Sequence, residues 1–368
     1  MSDGKVVTLI TGHCWNSKRR AGFHWLADSF WRHQWKVNFV TAWLSPIEWI
    51  KRDYRLEYIR KLGANKPFAE KERLTSFIAY QLLRPPSRLG KLGDWLTYPL
   101  FSHLSSRMLR KLEVVIKDAD LIIFESGTGL MLFEACKKMN ESARMVYRVS
   151  DDIRLFRSHS VVLDAEMRIA PLFDMISSPT EAIHSRFASL PSARLHRHGI
   201  PLHLYERPCT SPYRQDGQKN AVFAGTNSLD IDFLIRASGL FPEVDFHIIG
   251  PISGVPDAAN IKRYGEMEYE SVVPYIKWAD IALNPRTLPT LADSNKVIQY
   301  EYCRLPIVMS DIDKCDRPHV FGYQRGDSDS IATAIRGALA FDRNQIRCDA
   351  TRSWDHVVEE LWGGSLVV

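Results

Sequence analysis

Cysteine is scarce in this sequence, and the few cysteines present are scattered. Six occur among 368 residues, with no CxxC pair and no cluster of histidine and cysteine at the spacing of a zinc site. We therefore expect reduced thiols and no bound metal or other cofactor.

Long apolar runs are also missing. No stretch of about eighteen consecutive apolar residues occurs, as a membrane-spanning helix would need. The first residues, MSDGKVVTLITG, lead straight into a short strand-like run and lack the profile of a signal peptide. Any contact with a membrane is therefore expected to be peripheral.

Charge of one sign is concentrated in one part of the chain. The formal net charge is +5, but residues 51–111 contain fourteen lysines and arginines against five aspartates and glutamates. Aromatic residues such as Tyr54, Trp95 and Phe101 are interleaved with them. Such a segment suits an anionic membrane surface or a phosphate-bearing partner. The alternative is a solvated helical face over a core.

Short apolar runs alternate with amphipathic stretches in a βαβ rhythm, which is typical of parallel sheets covered on both faces. The rhythm stops at ERPCTSPYRQDGQKN and restarts afterwards. We predict an α/β protein of two Rossmann-like, doubly wound domains. The expected order is an N-terminal domain at 1–205, a linker at 206–220, a C-terminal domain at 221–350, and a helix within 351–368 that packs back towards the N-terminal domain.

Residues that follow the apolar runs are the candidates for a site, because ligands of open α/β sheets bind beyond the carboxyl ends of the strands. In the second domain one run ends in Gly225, Thr226 and Asn227, where a glycine permits close approach of a ligand to the backbone. Another is followed by Glu266 and Met267.

The segment LADSNKVIQYEY, residues 291–302, opens a predicted helix with polar residues. Ser294 and Asn295 would cap this helix, and its free N–H groups together with the charge of Lys296 favour an anion such as a diphosphate. Gln299 and Tyr300 lie on the same helical face as Lys296. The alternative is an ordinary capped helix with an exposed lysine.

The pattern Lys-x-x-Gln-Tyr followed by LPIV resembles the donor-site helix and next strand of GT-B nucleotide-sugar glycosyltransferases. With LIIFESG, MVYRVSDD, HRHGI, FHIIG, YGEM and FGYQRGDSDSIATAI in that order, the chain resembles glycosyltransferase family 70, the glucuronosyltransferases of xanthan biosynthesis. The resemblance implies the GT-B fold, in which two Rossmann-like domains face a cleft. It also implies an inverting, metal-independent transfer from UDP-glucuronate to a polyprenyl-diphosphate-linked oligosaccharide for exopolysaccharide synthesis, at the cytoplasmic face of the inner membrane.

The resemblance also assigns roles by position. Asp151 matches the general base, Lys296 the phosphate-binding lysine, Gln299 the amide beside the ribose, and Glu266 with Met267 the pair at the nucleoside. Two departures concern the donor sugar: Asn295 stands where the family has methionine, and NPRT lacks the family's tyrosine. Another UDP-sugar, with glucose or galactose, is therefore the second candidate donor.

The residues themselves leave alternatives for the base. A carboxylate on a strand-end loop of the first domain suits the removal of an acceptor proton, and Asp151 or Asp152 would do this. Asp151 would otherwise cap a helix beginning near Ile153. Glu125, at the end of LIIFE, is the rival carboxylate.

Several basic residues are candidates for the acceptor or the sugar. Lys18, Arg19 and Arg20 follow the first strand, where they would bind a diphosphate or a lipid headgroup, or form an exposed loop without a ligand. Arg148 or Arg286 would meet the carboxylate of glucuronate.

Two other classes of function are weaker. Four DxD triplets occur, at 118–120, 230–232, 311–313 and 327–329, but each lies at the edge of a predicted element, where helix capping explains it better than a metal-dependent transferase does. A non-catalytic protein that binds a membrane or nucleic acid through residues 51–111 is the third class. The scattered lysines lack the clustering on one face that is typical of nucleic-acid binding, so we expect no nucleic-acid partner.

Overall fold

The computed structural model describes residues 4–50, 53, 55–85, 89–102, 105–155, 158–225, 229–287, 295–311, 317–348 and 351–366. The chain forms two compact units. Unit 1 is Met1–His198 together with Trp354–Val368, and unit 2 is Gly199–Ser353.

Unit 1 contains an eight-stranded sheet. Its strands are β1 (Val6–Thr11), β2 (Lys36–Leu44), β3 (Pro67–Lys71), β4 (Leu74–Tyr80), β5 (Leu121–Glu125), β6 (Arg144–Arg148), β7 (Met175–Ser178) and β8 (Ala193–Leu195). The strand order is β3-β4-β2-β1-β5-β6-β7-β8, and every neighbouring pair is parallel except β3 with β4. The order reverses between β1 and β5, which is where doubly wound sheets bind ligands.

Helices cover both faces of this sheet, as its nearly continuous apolar strands require. They are α1 (Gly22–Arg32), α2 (Ile47–Ile50), α3 (Arg55–Leu62), α4 (Lys91–Ser102), α5 (Ser105–Ile116), α6 (Phe133–Met139), α7 (Ser160–Ile169) and α8 (Glu181–His184). All five residues of β5 are buried. None of the helices in the described part of the chain has the length and apolarity needed to cross a bilayer.

The basic segment 51–111 differs in part from the prediction. It contains the hairpin β3–β4, whose turn places Arg73 at a φ of 61°, and β4 extends the parallel sheet beside β2. Leu74 and Phe77 of β4 are buried. This part of the segment is therefore core, whereas α4 exposes a row of large apolar side chains to solvent: Leu92, Trp95, Leu96 and Leu100.

Unit 2 contains a six-stranded, fully parallel sheet. Its elements are α9 (Leu202–Tyr205), β9 (Lys219–Ala224), α10 (Ile231–Leu240), β10 (Val244–Ile249), β11 (Ile261–Gly265), α11 (Tyr269–Trp278), β12 (Ile281–Asn284), α12 (Asn295–Tyr302), β13 (Ile307–Ser310), β14 (Val320–Tyr323) and α13 (Ser328–Ala340). The strand order is β11-β10-β9-β12-β13-β14. The reversal between β9 and β12 is the expected ligand position of this sheet.

The predicted linker at 206–220 lies inside unit 2, because unit 2 begins at Gly199. Side chains of α11 hold this segment. The ammonium of Lys277 donates to the carbonyls of Tyr205 (2.6 Å) and Arg207 (2.8 Å), and the indole of Trp278 donates to the carbonyl of Cys209 (3.1 Å). A polar composition alone suggested a linker, but these bonds fix the segment to a helix.

The helix α14 (Trp354–Trp362) belongs to unit 1. Asp355 pairs with Arg32 of α1 at 2.7 Å, and the ring of Trp362 meets that of Trp35 edge-on at 5.0 Å. A Cβ on Gly22 would lie 3.1 Å from the ring of Trp354, so α1 and α14 pack closely at that glycine.

Candidate active site

The helix α12 brings Lys296 to the carboxyl end of β9 in unit 2. Its ammonium lies 4.4 Å from the ring centroid of Phe223, a residue of that strand. A Cβ on Gly225 would overlap the ammonium and lie 2.8 Å from Cε. The glycine that we assigned to close approach of a ligand therefore also makes room for the lysine.

The charge of Lys296 has no carboxylate to balance it among the described residues. Burial, with a smaller effect of the neighbouring guanidinium of Arg286, lowers the pKa of Lys296 to about 8. Arg286 follows β12, and its backbone N–H donates to the Ser310 hydroxyl at 3.2 Å. Two cations thus lie near the reversal point of the sheet, where an anion would stabilise both.

Tyr300 fixes the orientation of α12. Its ring is fully buried, and its hydroxyl accepts a hydrogen bond from the backbone N–H of Ala224 at 3.2 Å. The side chain of Gln299 is also buried, so only a small part of its amide is available to a ligand. Ser294, the predicted cap, lies outside the described residues.

Three glycines end the neighbouring strands β9, β10 and β11. Gly225 donates its N–H to the carbonyl of Ile249 at 2.9 Å, and Gly250 donates to Gly265 at 2.7 Å. Gly250 has a φ of 132°, and a Cβ there would overlap the Gly225 carbonyl. Gly250 was not among the predicted site residues, although the motif FHIIG ends with it.

Two of the remaining residues predicted to bind the donor sugar nucleotide belong to the described part of the chain, and two do not. Glu266 and Met267 directly follow β11, with Glu266 exposed and Met267 half-buried. They therefore lie at the same edge of the sheet as Gly225. Thr226 and Asn227 lie outside the described residues.

In unit 1, Glu125 lies at the reversal point of the sheet and joins three strand ends. One carboxylate oxygen, Oε2, accepts from the Thr11 hydroxyl and from the N–H of Gly12 (3.3 Å). The other, Oε1, accepts from the Ser150 hydroxyl at 2.9 Å, and Nε2 of His13 lies 3.7 Å from the same oxygen. Sequence reasoning named Glu125 but did not foresee these partners.

The two candidate aspartates after β6 have different surroundings. Asp151 is exposed, and its backbone N–H donates to the Ser126 hydroxyl at 3.3 Å. Asp152 is buried and pairs with Arg154 (2.6 Å) and Arg186 (3.1 Å). Burial raises the pKa of Asp152, but its bonds to Arg154 and the two guanidinium charges outweigh burial and hold the pKa below its usual range. The carboxylate of Asp152 is thus held in ion pairs with two arginines.

The helix-capping alternative for Asp151 does not apply. Residues 153–155 form a turn instead of a helix, and the following described helix, α7, begins at Ser160 with His159 as its cap. Asp151 therefore caps no helix among the described residues, and it is exposed at the carboxyl edge of the sheet.

The loop after β1 carries Lys18, Arg19 and Arg20. Lys18 is exposed, the N–H of Arg19 donates to the Ser17 hydroxyl (3.2 Å), and Arg20 stacks on Trp15 at 4.8 Å.

The buried His24 supports this loop from α1. It accepts from the N–H of Ala21 and donates to the Cys14 carbonyl. Burial, with a smaller effect of His13, lowers the pKa of His24 to about 3, so its ring is neutral and can make both bonds. We did not predict this support, because a histidine on a helix has no distinctive sequence pattern.

Arg148 does not reach solvent, which argues against its predicted contact with a sugar carboxylate. Only 2% of it is exposed, and its Nη1 donates to the Ser177 hydroxyl (2.7 Å) and the His196 carbonyl (2.6 Å). Burial lowers the pKa of Arg148 to about 10, while Glu360 opposes this shift. Arg286 remains the candidate for that contact.

Three aspartates of the DxD triplets have structural partners among the described residues. Asp230 and Asp327 cap α10 and α13, and Asp120 accepts from the N–H of Val6 at 2.7 Å. No group of three or more histidine, cysteine, aspartate or glutamate side chains placed to hold a metal ion occurs within the described ranges.

Comparison with known proteins finds a family match within the first half of the chain. Residues 9–179 match the family model described as Glucuronosyltransferase GumK, N-terminal domain. We refer to these matched residues as the GumK-type domain. They contain β5, β6 and the loop after β6, and therefore Glu125 and Asp151. The resemblance predicted from the sequence motifs is thus confirmed.

A curated relative extends beyond the GumK-type domain. The chain is 33% identical over 239 residues to the UDP-glucuronate:glycolipid 2-beta-glucuronosyltransferase of Xanthomonas campestris pv. campestris. The match spans 63% of this chain and 59% of the relative.

Solved structures agree with the fold of the whole chain. Sucrose-phosphate synthase from Thermosynechococcus elongatus has a TM-score of 0.63 at 12% identity, with 98% of each chain covered. Anabaena HepE in complex with UDP and glucose has a TM-score of 0.62 at 12% identity, covering 99% of this chain and 96% of that one. At these identities the likeness concerns the fold alone, and it confirms the predicted GT-B class with two Rossmann-like domains.

Proposed function

We propose that this chain is an inverting glucuronosyltransferase that uses UDP-glucuronate and a lipid-diphosphate-linked oligosaccharide. The observation that carries the proposal is the unbalanced cation Lys296 at the reversal point of unit 2, in a chain with a GumK-type domain. The name of the Xanthomonas relative supports glucuronate as the donor sugar and a glycolipid as the acceptor.

In the proposed donor site the UDP diphosphate binds at the start of α12. Lys296, with the N–H groups of the first turn, stabilises the negative charge that builds up on UDP as it leaves. Glu266 and Met267 contact the nucleoside, Gln299 the ribose, and Arg286 the carboxylate of the sugar. No metal is required in this proposal, because the protein supplies the positive charge.

In the proposed transfer step the acceptor hydroxyl attacks the anomeric carbon from the side opposite UDP. A bond forms between the acceptor oxygen and that carbon, the bond to the phosphate oxygen breaks, and UDP leaves. Asp151 takes the proton of the hydroxyl, since it is the exposed carboxylate after β6. Asp152 is a poorer base because Arg154 and Arg186 occupy it.

We propose that the protein binds its acceptor at the cytoplasmic surface of a membrane, with which it associates peripherally. The exposed apolar row on α4 would enter the lipid interface, with Trp95 70% exposed. Lys18, Arg19 and Arg20 would meet phosphate groups of the acceptor or of lipids.

UDP-glucose is a second candidate donor, because a similar structure contains it. A structure similar to this chain, Anabaena HepE, is in complex with UDP-glucose, at a TM-score of 0.63 and 13% identity. The two departures of this sequence at the sugar end of the site also concern the donor sugar. UDP-glucose and UDP-galactose are therefore the competitors of UDP-glucuronate.

The proposal is tested by transfer assays with the purified chain. Radiolabelled UDP-glucuronate, UDP-glucose and UDP-galactose are each supplied with membranes that contain polyprenyl-diphosphate-linked oligosaccharides, with and without EDTA. We expect label in the lipid fraction from UDP-glucuronate alone, unchanged by EDTA and reduced about 10²-fold in Lys296→Ala.

The matched control for this assay is Lys219→Ala, which removes an exposed lysine from the opposite end of β9. This variant should keep wild-type transfer. Transfer from UDP-glucose alone would reassign the donor, and no transfer from any donor would overturn the proposed function.

A further inference from the structure

Glu125 ties the loop of the proposed base to the centre of the unit 1 sheet. The carboxylate is 8% exposed and accepts three hydrogen bonds, from the Thr11 hydroxyl, the Gly12 N–H and the Ser150 hydroxyl. These donors lie at the ends of β1 and β6, on either side of the strand that carries Glu125. One side chain therefore connects three adjacent strand ends.

The connection to Ser150 reaches Asp151 directly. Ser150 immediately precedes Asp151 and donates to Oε1 of Glu125 at 2.9 Å. The N–H of Asp151 donates to the hydroxyl of Ser126, the residue after Glu125, at 3.3 Å. Two consecutive residues at the end of β5 thus hold two consecutive residues after β6, and the second of these is Asp151.

The partners of Glu125 favour a carboxylate over an amide. Thr11, Gly12 and Ser150 all donate, and the imidazole Nε2 of His13 lies 3.7 Å from Oε1. A carboxylate accepts on both oxygens, whereas a glutamine would turn its NH₂ towards one of these donors. With the amide oxygen towards Thr11 and Gly12, the NH₂ could still donate to the Ser150 hydroxyl, so glutamine keeps part of the connection.

A base on a strand-end loop acts only when its carboxylate is held within hydrogen-bond reach of the acceptor hydroxyl. Ser150 and Asp151 share one stretch of backbone, so the hydrogen bonds of the Ser150 hydroxyl and of the Asp151 N–H restrain the backbone that carries the Asp151 carboxylate. We infer that Glu125 is a positioning residue for Asp151, holding the Ser150–Asp151 backbone in place while making no contact with the reacting atoms itself. The role of Asp151 as the base rests on the proposed function. The restraint that Glu125 places on the backbone of Asp151 does not.

Kinetics of transfer test the inference through a double-mutant cycle. Glu125→Ala should lower kcat about 10²-fold, as expected for a small misplacement of a reacting group, while the affinity for UDP stays unchanged. Glu125→Gln should retain more activity than Glu125→Ala, and Ser150→Ala should lower kcat in the same direction. In an Asp151→Asn background, Glu125→Ala should cause less than a twofold further loss, because the group it positions is already absent.

Glu134→Ala is the matched control, since it removes an exposed carboxylate of α6 in the same unit. It should leave kcat unchanged. Equal fractional losses from Glu125→Ala with and without Asp151→Asn would show a general effect on folding and overturn the inference, as would wild-type kcat in both Glu125→Ala and Ser150→Ala.

Hydrogen–deuterium exchange gives a second test that needs no substrate. In Glu125→Ala and Ser150→Ala, amides of residues 149–152 should exchange at least tenfold faster than in the wild type, while those of unit 2 stay unchanged. Unchanged exchange at 149–152 would overturn the inference even if the enzyme transfers glucuronate. Faster exchange in a protein that transfers no sugar would leave the positioning intact and overturn the proposed function instead.

Discussion

Gly225 and Lys296 fit together only because residue 225 has no side chain: a Cβ there would overlap the ammonium and lie 2.9 Å from Cζ of Phe223. The space for the cation at the end of β9 is therefore set by a residue from a different element. A mutation at residue 225 can test the site without removing any charge.

Gly225→Ala should weaken UDP binding about tenfold and also lower the free energy of unfolding, because the added methyl group displaces the ammonium and presses on the buried ring of Phe223. The ammonium is the end of a flexible side chain, so the new methyl group pushes it aside. It then no longer lies where it would contact the diphosphate. Calorimetric titration with UDP measures the affinity, and urea unfolding measures the stability. Gly239→Ala in α10, where a Cβ meets nothing within 4 Å, is the control and should bind UDP normally; equal UDP affinity in both variants would contradict the prediction.

The affinity for UDP should fall as the pH rises through about 8. Lys296 is charged below its pKa of about 8 and loses its proton above it. An anion in contact with the ammonium binds the charged form more tightly. Titrations between pH 7 and pH 9 should show this fall in the wild type but not in Lys296→Met, and parallel curves for the two proteins would count against a contact between Lys296 and the diphosphate.

Lys296→Met should make the ligand-free protein more stable at neutral pH. Folding lowers the pKa of Lys296 from 10.5 to about 8, so the folded state binds this proton more weakly than the unfolded state. The resulting cost is complete below pH 8 and is relieved as the pH rises from 8 towards 10.5. We expect a gain of about 3 kcal/mol at pH 7 that shrinks by pH 10, measured by urea unfolding; a gain of equal size at both values would assign the effect to packing instead.

Asp151→Asn and Asp152→Asn should fail in different ways. The first should keep the stability and UDP affinity of the wild type and lose transfer by a factor of about 10² to 10⁴. The second removes one of the two buried carboxylates that pair with Arg186, while Glu166 still pairs with it, and should lower the free energy of unfolding by about 2 kcal/mol. Urea unfolding and transfer rates separate the two, and wild-type transfer in Asp151→Asn would remove it as the base.

Trp95→Ser combined with Leu96→Ser should weaken binding to vesicles that contain anionic lipid. Both side chains are large, apolar and exposed on α4, so their removal takes away area that would enter the interface. Co-sedimentation with phosphatidylglycerol vesicles measures the bound fraction. Ile235→Ser, on the exposed face of α10 in unit 2, is the control, and equal binding by all three proteins would show that α4 is not the docking element.

Local pattern was enough to predict the regular parts of the fold. The run VVTLIT became β1 at Val6–Thr11, and the segment with Lys296 became α12 at Asn295–Tyr302. The hairpin β3–β4 was not predicted, because its strands lie within a segment rich in lysine and arginine and β3 is largely exposed. In that segment the many charged residues do not indicate a strand, and the strands form because β4 pairs with β2 and β3 pairs with β4.

Site residues could be predicted from the sequence only where the residues next to them in the chain indicate their role. Lys296 was found from the helix start that carries it. The partner of Glu125 at Thr11 is 114 positions away in the chain, so no local spacing could reveal it. The overlap between Gly225 and Lys296 likewise arises from the packing of α12 on β9.

The return of α14 to unit 1 has a consequence for synthesis of the chain. Unit 1 needs Trp354, Asp355 and Trp362 against α1 and its neighbours, but a ribosome makes these residues only after the whole of unit 2. The N-terminal unit therefore leaves the ribosome with an uncovered apolar face at α1 until α14 has been translated. In this protein the first unit to be synthesised is the last to be completed.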